Sequence, residues 1–103
     1  PFCDIVLLTL SCQIESAVMK DSKLLSDMLK EKINGKYKGI PVICYGPFEA
    51  PVYKLDGKYR MRMIIKTKLT KQSREMFAEI YKSFGKRKKN EPMLSVDFNP
   101  STL

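Results

Sequence analysis

An α+β domain, built strand–helix–strand–strand–helix–strand, is the fold class this sequence predicts. Three observations predict it. Residues 15–33 and 70–84 repeat apolar side chains at three-and-four spacing, the period of one helix face. Residues 3–10, 40–45, 59–68 and 94–98 are short runs that are apolar throughout or alternate, as strands do. The whole chain is 103 residues long and 44% hydrophobic, enough for one modest core and unlike a disordered segment.

The elements follow in order. Residues 3–10 form a nearly continuous apolar run, so the first strand is expected to be buried on both faces and central in its sheet. The outer sheet face is then expected to be covered. The first helix turns Ala17, Val18, Leu24, Leu25, Met28, Leu29 and Ile33 inward, and Asn34-Gly35 stops it. The second strand, 40–45, contains Pro41, which donates no ladder hydrogen bond and places the strand at an edge. Residues 46–58 read as a long loop stiffened by Pro47 and Pro51. The third strand, 59–68, sends Tyr59, Met61, Met63, Ile65 and Thr67 one way. Arg60, Arg62, Ile64, Lys66 and Lys68 go the other. Thr70 is a good N-cap for the second helix, whose apolar face is Met76, Phe77, Ile80, Tyr81 and Phe84. Gly85 ends it, a cationic loop follows at 86–90, and 94–98 alternates as a last half-buried strand. This order is the split βαβ of ferredoxin-like domains, with a four-stranded antiparallel sheet and both helices on one face. The first and third strands are then central. If the apolar set of the third strand packs on the helices, its cations face outward.

Lysine and arginine number 19 against 11 acids, a net charge of +8, which favours a polyanionic partner. There is no histidine, so His-based catalysis and most zinc sites are excluded. Cys3, Cys12 and Cys44 form no Cys-x-x-Cys pair and are expected to be buried, reduced thiols of a cytoplasmic protein. No apolar run approaches the ~20 residues of a membrane span, so no membrane partner is expected. No phosphate-binding glycine loop, nucleophile–base pair or paired carboxylates are visible, so no catalytic residue, metal ligand or cofactor is expected. The opening Pro1-Phe2 lacks an initiator Met, and the chain is expected to be part of a longer polypeptide.

Candidate phosphate contacts are Lys54, Lys58, Arg60, Arg62 and Lys66, with Lys86, Arg87, Lys88 and Lys89 of the cationic loop. Together they predict steeply salt-dependent binding, although runs like 86–89 are more often solvated loops. RNA-recognition motifs carry stacking aromatics on their two central strands, and the outward set of the third strand has none. Phosphate contacts are therefore expected over base stacking. Phe48 and Tyr53 are the candidates for stacking, or for packing the proline segment onto the sheet. The start of the second helix, with Lys71 and Arg74 nearby, suits an anion, or is an ordinary capped helix with two solvated cations.

Gly46-Pro47, Ala50-Pro51 and Gly57-Lys58-Tyr59-Arg60 before an apolar strand resemble the GP-x-x-AP…G-x-YR signature of the primosomal protein N′ family of replication-restart DNA helicases. Ser95-Val96-Asp97-Phe98-Asn99-Pro100 is similar to that family's terminal DVDP strand, with Phe98-Asn99 in place of Val-Asp. Pro1-Phe2 resembles the end of the YPPF segment before its last domain. The resemblance implies a C-terminal domain with an S10-like fold, spanning residues 1–103. The parent would be an ATP-dependent, 3′ to 5′ helicase using Mg and Zn, whose motor lobes and zinc cysteines lie outside this chain. It implies binding of forked or single-stranded DNA, contact with the helicase lobes and docking of the acidic tail of single-strand-binding protein. Gly46, Pro47, Ala50, Pro51, Gly57 and Tyr59 would shape the motif loop. Lys71, with Arg74, is the nearest match to a basic residue implicated in tail docking. Met61 stands where relatives commonly carry an aromatic, which argues against stacking there. Readings that remain open are a protein-docking domain with little DNA affinity and an RNA-binding module of translation.

Overall fold

The computed structural model describes residues 3–85, 87, 88 and 90–103. Six elements follow one another: β1 (Asp4–Cys12), α1 (Glu15–Asn34), β2 (Ile43–Leu55), β3 (Lys58–Thr67), α2 (Lys71–Phe84) and β4 (Met93–Phe98). The strands pair antiparallel in the order β2-β3-β1-β4. The first and third strands are central, as the pattern of apolar residues requires.

Alternation decides which face is which. Met61, Met63, Ile65 and Thr67 of β3 are buried, and so are Val6, Leu8, Leu10 and Cys12 of β1. Cross-strand pairing sets Val6 beside Ile65, Leu8 beside Met63 and Leu10 beside Met61. The helices lie against this face. Leu25 and Leu29 of α1 and Met76, Phe77, Ile80 and Phe84 of α2 close one cluster with Val6, Leu8, Leu10, Met63 and Ile65. Each such side chain contributes roughly 1.5–3 kcal/mol on burial. The opposite parity, Arg60, Arg62, Ile64 and Lys66, therefore lies on the helix-free face.

The helices match their predicted spans closely. Thr70 and Ser73 form a capping box at α2: the Thr70 hydroxyl accepts from the Ser73 N–H and the Ser73 hydroxyl from the Thr70 N–H. Two residues assigned to apolar faces are exposed instead, Leu24 at 49% and Tyr81 at 57%. The inward stripe of α1 is narrower than its sequence implies, because Ser22 and Ser26 occupy buried positions there. Cys12 is buried as expected, whereas Cys3 and Cys44 are exposed.

The main departure is β2. Residues 40–42 precede the strand, and most of the expected loop 46–58 is strand. Two bulges make this possible. From Tyr45 to Phe48 is three residues, against two from Ile64 to Arg62 on β3; from Glu49 to Lys54 is five, against two from Met61 to Tyr59. Pro47 falls in the first bulge and Pro51 in the second, where no ladder donor is needed. A two-residue turn at Asp56 and Gly57, both at positive φ, joins β2 to β3.

Beyond β4 the chain reverses at Asn99, which has φ 48. Its backbone N–H donates to Ile5 O and its side-chain oxygen accepts from the Ile5 N–H. Its amide donates to Asp4, whose other oxygen accepts from the Leu69 N–H. That backbone bond, with the Asn99 amide, holds the Asp4 carboxyl below its ordinary value. Residues 100–103 then run back until Leu103 O accepts from Arg62 Nη1 at 3.0 Å. Ile5 and Arg62 bracket Leu7, which is only 4% exposed although it lies on the helix-free face. A covered outer face was expected from the first strand, and the C-terminal strap lies where that cover is needed.

Candidate nucleic-acid interface

β3 carries the centre of the candidate site. Lys58, Arg60, Arg62 and Lys66 share one parity, so they stand on the helix-free face with alternate residues about 7 Å apart. No Asp or Glu forms an ion pair with any of them among the described residues. Arg60 Nη1 donates to Val52 O at 3.1 Å, a carbonyl freed by the second bulge of β2. Arg62 reaches the strap, and its Nε is buried without a partner.

The structure separates the other predicted cations from this row. Lys54 pairs across the sheet with Tyr59 and so shares the opposite parity; its ammonium lies 5.0 Å from the Tyr59 ring centre. Arg87 is engaged by two carboxylates, Asp21 at 3.1 Å and Glu91 at 3.2 Å, and is half-buried. Lys88 is exposed on the same loop, where its N–H donates to Glu91; that bond, helped by the Arg87 charge, holds the Glu91 carboxyl below its ordinary value. Lys86 and Lys89 lie outside the described residues.

The motif residues shape β2. Gly46 has φ +102, and a Cβ there would come within 2.9 Å of Arg62 O and 2.7 Å of the Phe48 ring. Glycine is thus required at this bulge, where β2 lies against Arg62 of the basic strand. Ala50 is buried. Tyr53 packs toward α1: its hydroxyl donates to Glu15 at 2.7 Å, and its ring meets Tyr59 edge-on at 5.4 Å. The Glu15 hydrogen bond and partial burial push the Tyr53 hydroxyl up to about 12. Of its two readings, Tyr53 takes the packing one.

Tyr45 was not singled out by sequence. It pairs with Ile64, and Phe48 pairs with Arg62, so both aromatics lie on the cationic face. Lys66 Nζ stands 5.6 Å from the Tyr45 ring centre, and the ring is 46% exposed. The alternation of Ile43 with Tyr45 was the available signal.

A second surface lies between α2 and β4. Arg74, Phe77, Ala78, Tyr81, Val96 and Phe98 line a groove of about 330 Å³, with the Arg74 guanidinium 5.6 Å from the Phe98 ring centre. Lys71 is exposed at the first turn of α2. The capping box already occupies two N–H groups there, leaving Arg74 as the cation that meets an apolar surface.

Fold and face together define a small ferredoxin-like domain with a cationic, helix-free sheet surface. Two designed proteins have similar architecture. Foldit4 matches with a TM-score of 0.62 at 16% identity, covering 96% of this chain and 98% of its own. The design LFR1 1, described as having a ferredoxin fold, matches with a TM-score of 0.58 at 12% identity, covering 99% and 88%. No curated protein matches the chain. The chain belongs to the primosomal protein N C-terminal domain family, which it matches over residues 1–101. Among the described residues, no helix is long and apolar enough to cross a membrane.

Proposed function

We propose that this chain is a non-catalytic DNA-binding and partner-docking domain of a primosomal replication-restart helicase, acting in the cytoplasm on branched or single-stranded DNA. Family membership suggests the replication-restart role. The observation that carries DNA binding is the row Lys58, Arg60, Arg62 and Lys66 on one face, none ion-paired with an Asp or Glu among the described residues. Such a row suits phosphates, which position a strand without reading its sequence. The test is binding of the chain to a labelled fork, a single strand and a duplex across a salt series. Arg60→Ala/Arg62→Ala should weaken binding and flatten the slope of log K against log salt by about 1.5–2. Weak binding to all three, unchanged by the substitutions, would sink this reading and leave a docking domain.

The α2–β4 groove supports the docking half of the proposal. An apolar slot with Arg74 at its rim fits a peptide ending in an apolar residue and carboxylates, such as the acidic tail of a single-strand-binding protein. Arg74→Ala should weaken that peptide's binding while leaving DNA binding unchanged, read by calorimetric titration. Equal peptide affinity in the variant would exclude the groove.

A further inference from the structure

We infer that Tyr45 and Phe48 form a base-stacking platform, which makes single-stranded DNA the ligand of this face; the inference rests on the DNA-binding reading above. The geometry differs from that of RNA-recognition motifs, whose aromatics sit on the two central strands. Here the central strand β3 supplies cations and the flanking strand β2 supplies rings. The bulge at Gly46 and Pro47 sets this arrangement. It inserts one residue between Tyr45 and Phe48, which would otherwise take opposite parities, and so brings both rings to the outer face. Each ring then has a basic neighbour: Lys66 stands 5.6 Å from the Tyr45 ring centre, and Arg62 is the cross-strand partner of Phe48. Alternating rings and cations match the alternating bases and phosphates of a single strand. A duplex keeps its bases stacked inside and offers no ring face to Tyr45.

The rest of the face supports the same track. The strap from Asn99 to Leu103 lies over the half toward β1, bracketing Leu7 and meeting Arg62. Tyr45, at 46% exposure, and Ile43, at 57%, lie on the open half toward β2. Charge complementarity selects a polyanion, and the exposed Tyr45 ring, with half-buried Phe48 beside it, selects one with unpaired bases.

The experiment measures affinity of the 103-residue chain for labelled oligo(dT), for a blunt hairpin duplex and for heparin, a polyanion without bases. Tyr45 is exposed, so Tyr45→Ala tests the platform without removing core. Phe48→Leu keeps apolar volume at the half-buried position, and circular dichroism checks that both variants fold. Tyr45→Ala should lose about five- to a hundredfold in oligo(dT) affinity, with its salt slope, duplex affinity and heparin affinity unchanged. Tyr45→Phe should retain oligo(dT) binding. Wild-type affinity for oligo(dT) in both Tyr45→Ala and Phe48→Leu would overturn the platform. If Arg60→Ala/Arg62→Ala still lost affinity, the phosphate reading would survive that result. Loss on oligo(dT) and heparin alike in Tyr45→Ala would also overturn it, by assigning Tyr45 to placing Lys66 rather than to stacking.

Discussion

At the residue scale, Gly46 shows how one position joins fold to site. Its positive φ and the 2.9 Å approach of Arg62 O to any Cβ leave no room for a side chain. Gly46→Ala should cost about 1–3 kcal/mol, read from the urea midpoint, and should disturb Phe48 and Arg62 together. Glu79 shows a different residue-scale effect. Lys36, Tyr37 and Lys32 all donate to its carboxylate. Led by Lys36, these bonds push the Glu79 carboxyl down to about 2 from 4.5. A depressed carboxyl favours the folded state above the unfolded value. Its stabilisation is therefore complete above about pH 4.5 and is lost as pH falls toward 2. Glu79→Gln should lower the midpoint at neutral pH, where that stabilisation is complete, and leave it less changed near pH 2, so that acid unfolding is flatter in that window. An unaltered acid limb in the variant would show that the cluster does not set it.

At the scale of elements, α2 depends on its first turn. The Thr70–Ser73 box satisfies two of the backbone groups that a helix start leaves open. Thr70→Ala should cost about 1 kcal/mol, seen as a lower thermal midpoint with the sheet face unchanged. Legibility varied by element for physical reasons. The two helices and β3 could be read because one face of each is buried, and burial imposes a period. β2 could be read only at its start, because two bulges break its later alternation and two prolines imitate a loop. The first of these bulges hid Tyr45, whose shared face with Phe48 depends on one inserted residue. The row of cations was legible from alternation along β3. The engagement of Arg87 by Asp21 was not, since those residues are 66 positions apart and meet only through tertiary packing. The strap over Leu7 left one trace in sequence, the absence of alternation in the first strand.

At the scale of the whole molecule, the helix layer is apolar and tightly filled while the opposite face is divided between strap and cations. The core and the proposed DNA contacts thus lie on different sides of one sheet, and substitutions on the two sides should add independently. Two tyrosines on the helix side support the fold at alkaline pH: the hydrogen bond to Glu15 pushes the Tyr53 hydroxyl up to about 12, and the hydrogen bond to Glu79 raises that of Tyr37. The folded state is favoured below the ordinary tyrosine value near 10 and loses that support as pH rises toward 12. Tyr53→Phe should reduce the alkaline loss of stability in a pH titration of unfolding and leave the part that belongs to Tyr37. The two bulges of β2 have one more consequence, for how copies of the chain meet. An open sheet invites a neighbouring molecule to add a strand along any straight, unsatisfied border. The β2 border is broken twice and lacks amide hydrogens at Pro47 and Pro51, so it makes a poor template. The β4 border has no such interruption and lies beside the α2 groove. Self-association at high concentration, if driven by strand addition, should therefore proceed through β4, and a charge on that exposed border, Ser95→Lys, should suppress it.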